Sequence, residues 1–127
     1  MPDGILDPTR RVISFNTAID MTSNRYKAVR IYDSMTVSQV SATTNPIIGI
    51  QDDVPLSGSG RAVRVCVGGV ALGVAGAAFT AGAQLIIDAA GAFVVVTTST
   101  EIMIGTALQS AAAASEVVSI LVQPNNL

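Results

Sequence analysis

A chain of 127 residues, half of them hydrophobic, has enough length for one domain with a real core. Seven basic against nine acidic groups, a formal charge of −2, exclude binding to nucleic acid through a basic patch. With no His, and Cys66 as the single cysteine, Cys–His nucleophilic chemistry, a disulfide framework and a zinc spacing are excluded as well.

The first 24 residues carry Pro2, Gly4 and Pro8, a density that disfavours regular structure, and read as an extended N-terminal arm. The start MPDGILDPTRR lacks the apolar run of a secretory signal. The arm's one strand signal, Val12 to Asn16, either lies on a neighbouring molecule or pairs with its own domain as an edge strand. From Arg25 the pattern changes to alternation. Tyr26 to Tyr32 predicts a strand, Asp33-Ser34 a turn and Met35 to Val40 a second strand, together a hairpin. Ser41 to Asn45 is a polar loop, and Pro46 opens a short buried strand, Ile47 to Ile50. Residues 51–60 form a Pro/Ser/Gly loop before the strand Arg61 to Val67.

The next stretch tests the reading. No charge occurs between Arg64 and Asp88, which meets the length a bilayer span needs. Yet Gly68, Gly69, Gly73, Gly76 and Gly82 divide it, and each glycine within a helix costs ~1 kcal/mol relative to Ala. Val63, Val65 and Val67 alternate with Ala62, Arg64 and Cys66, the period of a half-buried strand. No Trp marks a membrane boundary. The stretch therefore reads as short strands joined at glycines, with no membrane partner.

Val70 to Val74 continues as a strand, and Thr80-Ala81-Gly82 turns the chain into the strand Ala83 to Ile87. Asp88 to Gly91 has the composition of a tight turn and leads into Ala92 to Val96. After a polar loop at 97–100, Ile102 to Leu108 and Val117 to Val122 are strands. The connector Gln109 to Ser115 contains four alanines, Ala111 to Ala114, enough for one helical turn. One motif recurs. Ile47-Ile48-Gly49 leads through a loop to the Val-rich strand at Arg61, and Met103-Ile104-Gly105 leads through a similar loop to the one at Val117. The fold class is all-β: a small barrel-like or sandwich domain of short strands and hairpins, with approximate internal symmetry, at residues 25–127 behind the arm at 1–24.

Candidates for chemistry are few. Cys66 in an apolar strand is core filling. Asp52-Asp53 read as solvated loop acids rather than a cation site, and Gly68-Gly69 as a strand bend, since no phosphate-binding pattern surrounds it. The expected function is not enzymatic, with no catalytic residue, cofactor or metal. Only Asp88, Glu101 and Glu116 carry charge after residue 64, so part of that surface is expected to be buried against protein.

The runs YKAVRIYDSMTVSQVSATTNPIIGIQDD, GRAVRVCVGGVALGVAGAAFTAGAQLIIDAAGAFV and IGTALQSAAAASEVVSILV resemble the capsid cement (decoration) proteins of tailed bacteriophages. The resemblance spans roughly residues 25–122. Its marks are the Ile-Gly strand start with an acidic loop after it, the Val-Gly-Gly-Val junction, the Asp…Gly hairpin and the Ala-rich connector. It implies a small β-domain on the outer surface of the phage head, commonly a homotrimer, that binds the major capsid protein and locks the expanded shell. The arm shows no such pattern. Its expected role is contact with the capsid or a sister subunit, with Ile5, Leu6, Ile13 and Phe15 as apolar anchors and Arg10 and Arg11 as polar ones. A second reading of the same fold is a head fibre or adhesin-like domain that binds a host surface ligand through exposed aromatics. Phe15, Tyr26, Tyr32, Phe79 and Phe93 are the candidates.

Overall fold

The computed structural model describes residues 10–97 and 104–122. Nine strands form among them: β1 (Arg11–Thr17), β2 (Ala28–Asp33), β3 (Thr36–Gln39), β4 (Ile47–Gln51), β5 (Ala62–Val74), β6 (Gln84–Ile87), β7 (Phe93–Val95), β8 (Gly105–Ala107) and β9 (Val117–Val122). The domain is all-β. The first five strands close a barrel in the order β1-β3-β2-β4-β5 and back to β1. The β1–β3 pair is parallel and the others are antiparallel.

The long strand β5 joins this barrel to a second sheet. Where the sequence reads two strands and a bend, the chain stays extended through Gly68-Gly69 and changes partners there. Its first half pairs with β1 and β4, and residues 69–74 pair with β9. Gly69 makes the turn at φ +88°, a conformation that side-chain-bearing residues avoid. From β9 the second sheet runs β8-β6-β7, and a parallel bridge from Phe93 to Ala75 returns it to the end of β5.

The second ring repeats the first. In each, a first strand pairs antiparallel with the fifth, a hairpin supplies the next two strands, and the fourth pairs with the second and the fifth. β5 serves as fifth strand of barrel 1 and first strand of barrel 2. The correspondence reaches single hydrogen bonds. Tyr26 N–H donates to the Gln51 carbonyl at 2.9 Å, and Gly82 N–H to the Ala107 carbonyl at 2.7 Å. Gly60 N–H donates to Thr17 at 2.7 Å, and Ser115 N–H to Ala75 at 2.8 Å. The non-glycine residues at positive φ, Tyr26, Met35 and Ser115, stand opposite Gly82, Gly91 and Gly60 in the other barrel, which share that backbone conformation.

The repeated Ile-Gly motif has its physical reason in this arrangement. A Cβ on Gly49 would lie 2.2 Å from the Cys66 carbonyl oxygen, and one on Gly105 would lie 2.5 Å from that of Leu121. Each glycine lets the fourth strand press against the backbone of the fifth. Barrel 1 encloses Phe15, Met21, Val29, Val37, Val63 and Val65. A larger core fills barrel 2 and extends to Ile50 and to Ala28 and Cys66, which alternate with Val29 and Val65 of the barrel 1 core along their strands. Cys66 is therefore buried although its neighbours Ala62 and Arg64 on the same face are exposed.

Two expectations need correcting. The segment through Asn24 does not stand apart as an arm: β1 is a stave of barrel 1, held between β5 and β3, and Met21 is fully buried in its core. Pro2, Gly4 and Pro8, which carried the arm reading, lie with residues 1–9 outside the described residues. The alanine run forms no helical turn. Ala111 bridges to Phe79, with N–H donation both ways at 2.9 and 3.0 Å, which commits its backbone to a partner far along the chain.

Candidate functional site

The anchors expected in residues 1–24 meet different fates. Ile5 and Leu6 lie outside the described residues. Phe15 points into barrel 1 and packs with Val29, Val37 and Val63, so it is unavailable to a partner. Ile13 is exposed on β1, in register with Val65. Arg10 and Arg11 sit at the waist between the barrels, where β1 starts opposite Gly68 and β9 ends opposite Gly69. The Arg11 guanidinium lies against Gly68, where a Cβ would come within 3.2 Å of it.

Arg10 forms an ion pair with Asp52. Partial burial works against its charge, but Cys66 and the Asp52 carboxylate outweigh that and raise its pKa above the usual guanidinium range. The Asp52 carbonyl also accepts from Arg25 Nε at 3.4 Å, and the Arg25 guanidinium stacks 4.5 Å from the centre of the Tyr26 ring. These four residues and the apolar Val70 and Leu72 line an open groove of about 280 Å³. Asp53 accepts from the Arg64 N–H at 3.0 Å, so the adjacent acids are engaged separately with protein groups. Among the described residues no three His, Cys, Asp or Glu side chains gather as a metal site, and no helix is long and apolar enough to cross a membrane.

Beneath this groove lies a polar hub that sequence reasoning missed. Gln51 is fully buried. Its Nε2 donates to the carbonyls of Met21 and Asp53, both at 2.9 Å, and its Oε1 accepts from Asn24 Nδ2 at 3.2 Å. The side chain ties the end of β4 to the 21–24 turn and to the start of the acidic loop. Its only sequence signal was a polar residue at the edge of an apolar strand. Cys66, by contrast, is core filling as expected, with its thiol 3.2 Å from the Gly68 carbonyl.

At the opposite end of barrel 1, β1 finishes between the β2–β3 hairpin and the 52–61 loop. Asn16 N–H donates to the Met35 carbonyl, and Thr17 Oγ1 accepts from Arg61 N–H at 3.0 Å. Asp20 holds Thr22 through that residue's N–H at 3.0 Å and hydroxyl at 2.8 Å, and these bonds depress its carboxyl pKa.

The family model described as phage cement protein matches residues 13–123. The chain belongs to the phage cement protein family. The match begins within β1, in agreement with the place of that strand in the barrel. The protein is thus a structural component of the phage head. Its fold is also that of the head fibre gp8.5 N base of bacteriophage phi29, with a TM-score of 0.58 at 16% identity over 93% of this chain and 98% of that one. No curated protein matches the sequence.

Proposed function

We propose that this protein binds the outer surface of the phage head as a homotrimer and cements neighbouring major capsid subunits, stabilising the expanded shell. The family match over residues 13–123 carries this reading. The composition fits the trimer: residues 65–127 hold three acidic groups and no basic ones, a surface suited to burial against sister copies. The role is mechanical, without catalysis or cofactor, and rests on apolar, shape-matched area. Of the expected contact residues, Arg11 and Ile13 are exposed near the waist, and Ile5 and Leu6 in the preceding segment complete the proposed contact.

Addition of the full chain to expanded heads assembled without it tests the proposal. Co-sedimentation at a fixed ratio and a higher temperature of DNA release are expected, with a trimer in sedimentation of the free protein. Heads that bind none of the protein contradict the reading.

The likeness to a head fibre base favours a second reading, a host-binding head fibre domain. The aromatics weigh against it. Phe15, Phe79 and Phe93 are core residues and Tyr26 is partly covered beneath Arg25, which leaves Tyr32 as the exposed ring. Binding of the purified protein to host cells would reverse the order of the two.

A further inference from the structure

The duplicated architecture contains its own control for which surface residues the fold requires. Barrel 2 shows what suffices at a position, and one place where barrel 1 departs from it is its pole. The far end of barrel 1, about 20 Å from the waist along the seven residues of β1, exposes four large apolar side chains. Leu56 is 72% exposed, Tyr32 60%, Met35 55% and Ile19 41%. They surround the end of β1: Ile19 just beyond it, Tyr32 and Met35 on the flanking hairpin, and Leu56 in the loop on the other side. That loop is tied down by the Gly60 N–H to the Thr17 carbonyl at 2.7 Å.

In barrel 2 the positions equivalent to Ile19, Tyr32 and Met35 hold Ala77, Asp88 and Gly91, and the loop equivalent to that of Leu56 is the alanine run. The same backbone thus closes with small or acidic residues. The backbone plan does not require side chains of this size at these positions. Met35 even occupies positive φ, at 49°, where its counterpart is glycine. Solvent-exposed apolar groups of this size in one place mark a contact surface.

We propose that this pole is an attachment surface that seats on an uncharged apolar patch of the head shell. The inference rests on the reading that the protein binds the shell. Local charge supports a neutral partner patch. Asp20 and Asp33 are opposed by Arg30 and Arg61, and all four are engaged with neighbouring groups of the chain, Arg30 partly over the Tyr32 ring. Area argues against a free pole-to-pole dimer. Four such side chains offer a few hundred Å², below the ~800 Å² per partner of a stable two-body interface. A pole-to-pole dimer falls short of that. A shell that already holds the molecule at the waist gains from a small second patch through effective concentration.

The test installs the residues of barrel 2 in barrel 1: Ile19→Ala, Tyr32→Asp, Met35→Gly and Leu56→Ala together. Thermal unfolding and self-association should match the parent, while binding to expanded heads lacking the protein weakens at least tenfold. The single variants Tyr32→Asp and Leu56→Ser, each folded, should lose several-fold, which covers misfolding of the quadruple variant. Parent-like binding by folded variants overturns the pole assignment. Loss of self-association with head binding retained also overturns it, since the pole then faces a sister copy. Failure of the parent protein itself to bind heads overturns the underlying shell-binding reading instead.

Discussion

Barrel 1 and barrel 2 follow one strand plan and differ in how they use side chains. Residues 11–68 hold all but one of the arginines and the only lysine, whereas residues 69–122 hold Asp88, Glu101 and Glu116. Two of those acids hold turns: Asp88 accepts from the N–H groups of Ala90 and Ala92 at 2.9 and 3.0 Å, and Glu116 from that of Ala112 at 3.0 Å. In barrel 1 three charged residues, Arg10, Arg25 and Asp52, line a groove, and large apolar residues reach solvent at the pole. The interiors differ too. Phe15 on the first strand and Val37 on the third in barrel 1 correspond to Gly73 and Phe93 in barrel 2, so the aromatic has moved from one strand to another across the core. The backbone plan tolerates either solution, which shows that strand pairing and the close approaches at glycine fix the fold, while side-chain volume only has to sum correctly.

The strongest way to break this equivalence is at the repeated close approach. Gly105→Ala and Gly49→Ala should each cost about 3 kcal/mol or more, since the new methyl meets backbone that cannot yield. Chemical denaturation measures both, and tolerance at one site with loss at the other would end the claim of equivalence there. Next in size is the hub unique to barrel 1. Gln51→Leu strands the Asn24 amide and the Asp53 carbonyl, and leaves the Met21 carbonyl with the Asn24 N–H alone, at about 2 kcal/mol. The counterpart position is Ala107, so Gln51→Ala reports whether barrel 1 needs what barrel 2 lacks. An unchanged midpoint would mean that water replaces the side chain.

The displaced aromatic gives a smaller, reciprocal test. A Cβ on Gly73 comes within 2.5 Å of Ile120 Cδ1 and 3.1 Å of the Phe93 ring. Gly73→Val should cost about 1–3 kcal/mol by overpacking, and Phe93→Leu in the same chain should restore part of it. Additive losses would show that the two positions do not share a cavity. Smallest are the left-handed positions at the ends of the 52–61 and 108–116 loops. Ser115→Gly should raise stability by up to about 1 kcal/mol, while Gly60→Ser lowers it by about 1 kcal/mol with open space around the new side chain. Effects of the same sign would contradict the shared backbone geometry.

Much of this was legible in the sequence, for local reasons. Alternation located β2, β3 and the first half of β5, and the Asp88–Gly91 composition gave its hairpin, with Gly91 at φ +86°. The Ile-Gly echo pointed to the repeat. What it did not reveal is that Val70 to Val74 plays the part of β1, because one is apolar and glycine-bearing while the other reads RVISFNT. The role of β1 was obscured by averaging it with the prolines before it, and with it the burial of Phe15. The groove at Arg10, Asp52 and Arg25 joins residues 42 and 27 positions apart, a juxtaposition that only the closed barrel creates. The pole is similar: Ile19, Tyr32 and Leu56 are unremarkable singly and gain meaning when β1 brings them to one end.

The central claim is a division of labour, with barrel 1 holding the shell and barrel 2 completing the fold. A cryo-EM map of expanded heads saturated with the protein tests it most directly. The account predicts density on the outer surface between neighbouring capsid subunits, with the waist and the Tyr32–Leu56 pole of barrel 1 against the shell and barrel 2 outermost. Density inside the head, or a molecule seated on the shell through barrel 2 with that pole in solvent, would contradict it.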